Sequence, residues 1–207
     1  MENYLCQIND LKDKLINSQS ESEFLNTNTS DFEFSLGTKI NKKSLRPAAI
    51  LIPLVIIKGQ LMIILTRRAI DLKDHPGQIA FPGGKVEKSD TSELAAALRE
   101  AHEEVGLIPS DVSLLGRLPR HETITGFIVS PFVGIIKNYD NLKPDLNEVA
   151  EIFKVPLNFL LDKKNMSVEK KRINGIERGY YVIPYGPYYI WGATARIIKT
   201  MVDRLSI

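Results

Sequence analysis

A glycine-rich turn followed by an acidic helix is the feature that most constrains this chain. The turn spans residues 81–84 (Phe-Pro-Gly-Gly), and the predicted helix ends at Gly106, a residue that accepts the left-handed conformation of a helix cap. At about 100° per residue, three glutamates near the end of the helix fall within roughly 100° of arc. They are Glu100, Glu103 and Glu104. An apolar group lies close to the opposite side, so one helix face packs on a core and the other presents acid.

The three carboxylates repel one another, by on the order of 0.2–0.5 kcal/mol for each like-charge pair. A hard divalent cation with oxygen ligands, Mg²⁺ or Mn²⁺, would turn this repulsion into binding energy. Arg99 precedes Glu103 by four residues, a spacing at which two side chains meet on a helix. An acidic helix face that is merely solvated has the same pattern, so this spacing alone leaves both interpretations open.

The wider pattern resembles the Nudix box. That motif has a glycine, an acid six residues later, then Arg-Glu-x-x-Glu-Glu-x-Gly and an aliphatic residue. Gly84, Asp90 and residues 99–107 occupy these positions. The upstream acid is Asp rather than Glu, and the gap before Arg99 is one residue longer; neither departure touches the carboxylate cluster. The resemblance implies an α/β fold, the Nudix α/β/α sandwich, with a mixed β-sheet and a loop-helix-loop catalytic motif.

The segment before the box resembles a second motif, that of the coenzyme A pyrophosphatase branch of the family. Residues 64–69 read Ile-Leu-Thr-Arg-Arg-Ala, and Lys73, Gly77 and the Phe-Pro-Gly-Gly turn follow at the spacing of that motif. This branch also has the longer gap before the arginine. Lys73 stands where the motif has Arg, which keeps the charge but loses the bidentate guanidinium. The substrate-binding residues that the resemblance implies are Arg67, Arg68, Lys73 and Gly83.

The resemblance implies metal-dependent hydrolysis of the diphosphate bond of coenzyme A or acyl-CoA. The products would be adenosine 3′,5′-bisphosphate and phosphopantetheine or its acyl derivative, and the cofactor Mg²⁺ or Mn²⁺. The implied metal ligands are Glu100, Glu104, Glu103 and the carbonyl of Gly84. Glu103 is either a ligand of a second metal ion or the base for water, and Arg99 orients it. Nudix sites often include a further glutamate far along the chain, for which Glu148 is the candidate and Glu151 the alternative.

Two other functions remain open. A Nudix hydrolase could act on another nucleoside diphosphate derivative, such as ADP-ribose or a dinucleotide polyphosphate. A non-catalytic Nudix module could bind a nucleotide or a partner protein. The intact arginine and glutamates of the box argue against such a module, because a binding protein has no need of carboxylates that repel one another.

The 207 residues fit one domain with an extension. We expect an amphipathic helix within residues 1–18 and a polar linker over 18–31, both part of an N-terminal extension (1–44), and a catalytic domain over 45–207. The net charge of +2 does not favour nucleic acid or a membrane surface as partner. With no transmembrane run or signal pattern, we expect a cytoplasmic protein. The resemblance implies a small nucleotide substrate as its partner. The oligomeric state is open, a homodimer included.

Three further expectations concern local structure. Apolar runs at 47–57 and 61–66 flank a glycine-containing turn and predict a hairpin, in which Pro53 marks an edge position or a bulge. A second hairpin is predicted around Asn174-Gly175. A closing helix begins near Trp191, whose indole we expect in the core.

Overall fold

The computed structural model of the chain describes residues 2–16, 28–31, 45–173 and 176–206. The helices are α1 (Glu2–Ile16), α2 (Glu93–Val105), α3 (Leu157–Leu161) and α4 (Gly192–Leu205). The first strands are β1 (Thr29–Ser30), β2 (Arg46–Ile57), β3 (Gln60–Arg68), β4 (Ile79–Ala80), β5 (Gly83–Lys85) and β6 (Val112–Arg117). The others are β7 (His121–Glu122), β8 (Phe127–Ile136), β9 (Val149–Pro156), β10 (Ser167–Ile173), β11 (Ile176–Tyr185) and β12 (Tyr188–Trp191).

Within the described residues, nine strands form a mixed sheet in the order β1-β7-β8-β2-β3-β4, with β6 beside β8, β5 beside β2 and β9 beside β3. Strand β2 runs parallel to β8 and antiparallel to β3, to which it is joined by the Lys58-Gly59 turn. Strands β10, β11 and β12 form a smaller antiparallel sheet. The predicted first hairpin is therefore confirmed as β2–β3.

Alternate residues of β2 supply two separate cores, because successive side chains of a strand point to opposite faces. Leu51 and Val55 pack in the cluster that contains the buried alanines of α2. Ile52 and Leu54 pack in the cluster that contains buried residues of α1 and α4. Helices thus cover both faces of the mixed sheet, as the predicted α/β/α sandwich requires.

The prediction for Pro53 is wrong. Strand β2 has partners on both sides, and the parallel register passes from Pro53, opposite Gly134, to Leu54 without a shift. The amide of Leu51 donates to the carbonyl of Pro82, so alternation turns the nitrogen of Pro53 to that same side. There the pairing with β5 ends at Ile50, and the pairing with β3 begins at Leu54. Proline is tolerated because its missing N–H lies between the hydrogen bonds that join β2 to β5 and those that join β2 to β3.

The N-terminal segments pack against this body. Leu11 and Leu15 of α1 are buried in the core that contains α4. The helix predicted within residues 1–18 is confirmed over Glu2–Ile16, whereas β1 lies in the segment predicted as a linker and pairs in parallel with β7. The boundary between residues 44 and 45 stays a prediction.

The second predicted hairpin is confirmed by the pairing of β10 with β11, although its turn, Asn174-Gly175, lies outside the described residues. None of the described helices is long and apolar enough to cross a bilayer.

Candidate active site

Helix α2 presents the acidic cluster, and local sequence explains both of its ends. Ser92 is the N-cap, and its hydroxyl accepts a hydrogen bond from the amide of Ala95 at 3.1 Å. Gly106 ends the helix with φ 68°, and its N–H donates to carbonyls of the last turn. The buried Ala97 and Ala101 bring the helix close against the sheet. The predicted helix and its glycine cap are confirmed.

Arg99 connects two of the three glutamates. Its Nη1 donates to Glu103 Oε2 at 2.9 Å and to Glu100 Oε1 at 3.1 Å. Its Nη2 also donates to the carbonyl of Lys85 at 3.1 Å, in the strand that follows the glycine turn. One guanidinium thereby fixes the turn relative to the helix and sets the direction of both carboxylates.

Asp90 holds Arg99 in place. The guanidinium donates from Nε and Nη2 to the two carboxylate oxygens, at 3.0 and 3.1 Å, and the amide of Glu87 donates to Asp90 Oδ2 at 2.8 Å. The hydrogen bonds from Arg99 lower the pKa of Asp90 below its usual value. The prediction held that the departure from Glu to Asp at this position does not touch the carboxylates, and Asp90 indeed contacts Arg99. Asp90 acts on the cluster through this arginine, which orients Glu100 and Glu103.

Glu104 is buried, with 4% of its surface exposed, so the acidic face of α2 is not uniformly solvated. Its Oε2 accepts from the amide of Gly83 at 3.1 Å, and its Oε1 lies 3.9 Å from Nη1 of Arg68. Burial raises the pKa of Glu104 to about 7. The nearby charges of Glu100 and Glu148 raise it further, while the Gly83 amide and Arg68 oppose the shift.

The two glycines of the turn are required for different reasons. Gly83 has φ 150°, and a Cβ atom there would overlap the backbone of Ala49 and Ile50. A Cβ atom at Gly84 would instead overlap the carboxylate of Glu100. Burial raises the pKa of Glu100, a shift that Arg99 counteracts. Glycine at position 83 therefore allows the backbone conformation and the close approach of β2, and glycine at position 84 leaves room for the Glu100 carboxylate.

Glu148 lies beside the cluster, immediately before β9. Its amide donates to the carbonyl of Asp145 and its carbonyl accepts from Ala69, both at 2.9 Å, so the segment that carries it is held to the end of β3. Its side chain is exposed, and its charge raises the pKa of both Glu100 and Glu104. Such an effect between partly solvated groups is short-ranged. A fourth carboxylate is thus positioned near the three of α2.

Glu151, the alternative to Glu148, lies on the other face of the sheet. It shares that face with Phe153, which belongs to the core that contains α4. Its carboxylate is paired with Nη2 of Arg67 at 2.8 Å and accepts from the hydroxyl of Tyr188 at 2.6 Å. The Tyr188 ring in turn stacks on Phe153, with centroids 3.6 Å apart. Glu151 is therefore engaged away from the acidic cluster.

The predicted phosphate-binding residues are not all in one place. Arg67 and Arg68 are consecutive residues of β3 and point to opposite faces of the sheet. Only the second approaches Glu104; the first is paired with Glu151. Lys73 is exposed in the segment between β3 and β4.

The donor set fits a hard divalent cation. All four nearby side chains offer carboxylate oxygens, and burial raises the pKa of Glu100 and Glu104, a cost of ionisation that a bound cation would relieve. In residues 2–16, 28–31, 45–173 and 176–206, no three Asp, Glu, His or Cys side chains form a ready-made metal site, and Glu100 and Glu103 both bind Arg99. Ligation would require these two carboxylates to turn toward Glu104.

Trp191 is not a core residue, contrary to the prediction. Its neighbour Ile190 is fully buried, and alternation along β12 turns the indole outward, leaving it 39% exposed. The helix start that follows it still packs well, since Ala195 is buried and the hydroxyl of Thr194 donates to the carbonyl of Ile79 at 2.9 Å.

Sequence reasoning missed the part that Tyr188 plays in holding Glu151, and it missed the aromatic surface around Trp191. A signal for that surface was present in the sequence. Tyrosines recur at positions 180, 181, 185, 188 and 189, close to the single tryptophan of the chain.

Comparison with known proteins decides the family. The family model described as NUDIX domain matches residues 45–173. The chain belongs to the Nudix family. It is 42% identical to the Nudix hydrolase NudL of Enterobacter sp. (strain 638), in an alignment that covers 78% of this chain and 84% of that protein.

Solved structures share the fold. The NUDIX domain of Shewanella oneidensis NrtR, solved with ADP ribose, aligns with a TM-score of 0.53 at 15% identity, over 90% of this chain and 99% of that chain. A MutT/nudix family protein from Enterococcus faecalis aligns with the same TM-score and identity, over 94% of this chain and 73% of its own. These likenesses support the predicted Nudix sandwich.

The relatives also establish the class of protein. It is a Nudix hydrolase that acts on small nucleoside diphosphate derivatives. Hydrolases of this family use divalent metal ions, and the acidic cluster on α2 supplies suitable oxygen ligands.

Proposed function

We propose that this Nudix hydrolase cleaves the diphosphate bond of coenzyme A or acyl-CoA. The products are adenosine 3′,5′-bisphosphate and phosphopantetheine or its acyl derivative. The observation that carries the proposal is the 3.9 Å approach of Arg68 to Glu104. Arg68 belongs to the motif of residues 64–84 and Glu104 to the acidic helix, so both motifs contribute to one site.

Four side chains would hold the metal ion, either Mg²⁺ or Mn²⁺. Glu100 and Glu104 lie four residues apart on one side of α2, and Glu103 and Glu148 lie beside them. The carbonyl of Gly84 is a further ligand in this proposal. When bound, the cation neutralises phosphate oxygens and lowers the pKa of water.

The surrounding residues orient the reacting groups. Glu103 has the most exposed carboxylate of the box, 52%, so it can accept a proton from water at the mouth of the site. Arg99 fixes the direction of that carboxylate, and Asp90 fixes Arg99. Arg68 would bind a phosphate oxygen through its guanidinium, since a charge-assisted contact of this kind is strong and directional.

The remaining cations bind farther from the cleaved bond in this proposal. Lys73 is exposed and can reach a phosphate only as a point charge. Arg67 lies on the other face of the sheet beside Glu151, so it would contact a substrate that extends past the end of β3. Coenzyme A is long enough to do so, because a nucleotide and a pantetheine chain flank its diphosphate.

Comparative hydrolysis tests the proposal. Coenzyme A, ADP-ribose and diadenosine polyphosphates are offered to the wild type with Mg²⁺ or Mn²⁺, beside Glu103→Gln and Glu104→Gln. Asp140→Asn is a matched control, since it removes an exposed carboxylate in a surface loop. We expect selective release of adenosine 3′,5′-bisphosphate from coenzyme A, lost in both glutamate variants and kept in the control.

Two other results would change the conclusion. Preferential cleavage of ADP-ribose or a dinucleotide polyphosphate would retain a Nudix hydrolase and exclude the coenzyme A assignment. Absence of turnover on every substrate would favour a nucleotide-binding module.

A further inference from the structure

A cavity of about 300 Å³ lies apart from the carboxylate cluster. It is bounded by the small sheet of β10–β12, the start of α4, and residues at positions 30, 31 and 124. Its walls are aromatic and cationic. The aromatic residues are Tyr180, Tyr181, Tyr189 and Trp191, and the cationic residues are Lys171, Arg178 and Arg196. We refer to it as the Trp191 cavity.

The aromatic side chains at its rim are held in place while remaining accessible. Tyr189 and Trp191 are 44% and 39% exposed, unusual for large rings on a folded surface. Tyr180 contacts Trp191 edge to face, with centroids 5.6 Å apart. The hydroxyls of Tyr180 and Tyr189 both donate to Glu169, at 3.4 and 2.7 Å. These rings form a prepared surface for a planar group.

The cavity also carries excess positive charge. Lys171 and Arg178 are paired directly across β10 and β11, so their side chains share a face. In the described part of the chain, the buried Nε of Arg178 has no hydrogen-bond partner. A buried donor left without an acceptor is costly, and an anionic ligand would supply one.

Two carboxylates lie near these three cations, and both are already hydrogen-bonded. Glu169 shares the face of Lys171 and accepts from the hydroxyls of Tyr180 and Tyr189. Asp31 lines the cavity, but its carboxylate already contacts the ring of His121 and accepts from the amide of Ile124, at 2.9 and 3.0 Å. The guanidinium of Arg196 lies over the ring of Tyr181, 5.4 Å from its centroid, at the cavity wall. Aromatic rings and cations together are the chemistry that recognises a nucleotide.

The Trp191 cavity shares two of its lining residues with a neighbouring cleft. Tyr189 and Trp191 also line a second, open cleft of about 390 Å³, whose other wall contains Gln78 and Arg67. Arg67 is the neighbour of Arg68, which approaches Glu104. Because Arg67 and Arg68 point to opposite faces of the sheet, a ligand that reaches both the carboxylate cluster and the Trp191 cavity has to pass around the end of β3.

We infer that the Trp191 cavity binds the adenosine 3′-phosphate part of coenzyme A, which rests on the proposed function for the identity of the substrate. Adenine stacks on Trp191 and the neighbouring tyrosines. The 3′-phosphate binds Arg178, assisted by Lys171 and Arg196. The pantetheine chain is uncharged and needs no such group of cations. The cavity thus selects coenzyme A over diphosphates that lack a 3′-phosphate.

Kinetics with paired substrates test the role of Arg178. For Arg178→Gln we expect KM for coenzyme A to rise about tenfold, the loss typical of one hydrogen bond to a charged group. KM for 3′-dephospho-coenzyme A should stay near its wild-type value, and kcat should change little for either. Lys170→Gln is the control, because it removes a charge from the opposite face of β10. An equal rise in KM for both substrates, or no change in KM for either, would overturn the inference.

Fluorescence gives a second test that needs no turnover. Trp191 is the single tryptophan of the chain, so its emission reports on the cavity directly. Adenosine 3′,5′-bisphosphate is titrated into the wild type with EDTA present. We expect a saturable change in emission, at about tenfold lower concentration than with 5′-AMP, which lacks the 3′-phosphate.

The two proposals fail in distinguishable ways. If the bisphosphate changes the emission but coenzyme A is not hydrolysed, the cavity is a nucleotide site and the proposed function is wrong. If coenzyme A is hydrolysed but neither the fluorescence nor the substrate selectivity responds as described, the inference about the cavity is wrong.

Discussion

Replacing Glu104 by Gln is expected to stabilise the metal-free protein while abolishing its activity. Burial raises the pKa of Glu104 from 4.5 to about 7 in the folded state. Because the folded pKa lies above the unfolded one, ionisation of this group opposes folding. At about 1.36 kcal/mol per pH unit of pKa difference, the full cost is about 3 kcal/mol. It is absent below pH 4.5, grows as pH rises, and is complete above pH 7.

Glu104→Gln removes this cost and keeps an oxygen that can accept from the amide of Gly83. The variant loses a weak attraction to Arg68 at 3.9 Å, so we expect a gain of about 2–3 kcal/mol in the free energy of unfolding at pH 8. At pH 5 the gain should be about 1 kcal/mol or less. Urea denaturation in EDTA at both pH values measures it.

Glu103→Gln is the matched control, because the Glu103 carboxylate is half exposed and its removal should change stability little. Adding Mg²⁺ should stabilise the wild type more than the Glu104→Gln variant, since the ion binds the folded state through the missing carboxylate. A Glu104→Gln protein no more stable than the wild type at pH 8, or equally stabilised at pH 5 and pH 8, would refute the argument from burial.

Two further pairs of variants separate roles that lie close together in the structure. Gly83→Ala should cost roughly 2–4 kcal/mol in urea denaturation, because its Cβ meets backbone and its φ is unfavourable. Gly84→Ala should unfold near the wild-type midpoint yet lose activity, because its Cβ displaces only the carboxylate of Glu100; equal stability losses in both would contradict this. Glu148→Gln should lower kcat by about tenfold or more, because it removes a carboxylate from the cluster. Glu151→Gln should change kcat less than about twofold, because this carboxylate lies outside the cluster. If steady-state kinetics show a larger loss of kcat for Glu151→Gln than for Glu148→Gln, Glu151 is the functional residue.

Local sequence patterns were enough to predict the parts of the site that lie on one helix. The glycine cap at 106 and the spacing of the box residues depend on contacts within a few positions of each other. The pairing of Arg99 with Glu103 is such a contact, and it is present at 2.9 Å. Asp90, nine residues before Arg99, was recognised as part of the motif. Its hydrogen bonds with the arginine were not predicted, because they form only when the turn folds back onto the helix.

Strand alternation explains much of what was not foreseen. It places Arg67 and Arg68 on opposite faces of β3, and it turns Trp191 outward from Ile190. The period of two is readable in a sequence, but which face meets the acidic helix is not. The prediction for Pro53 was wrong for a similar reason. The unpaired stretch of β2 around Pro53 lies between β5 and β3, and the sequence does not show where the pairing with each of these strands begins or ends.

The sequence by itself determined the Nudix family, the mixed α/β fold and three carboxylates on one helix, because motif spacing and helical periodicity are local properties. Only the tertiary structure decided that Glu104 is buried, that Glu148 rather than Glu151 lies beside the cluster, and that Trp191 borders a cationic cavity. Burial and charge depend on which segments meet in space, and those segments are separated by tens of residues along the chain.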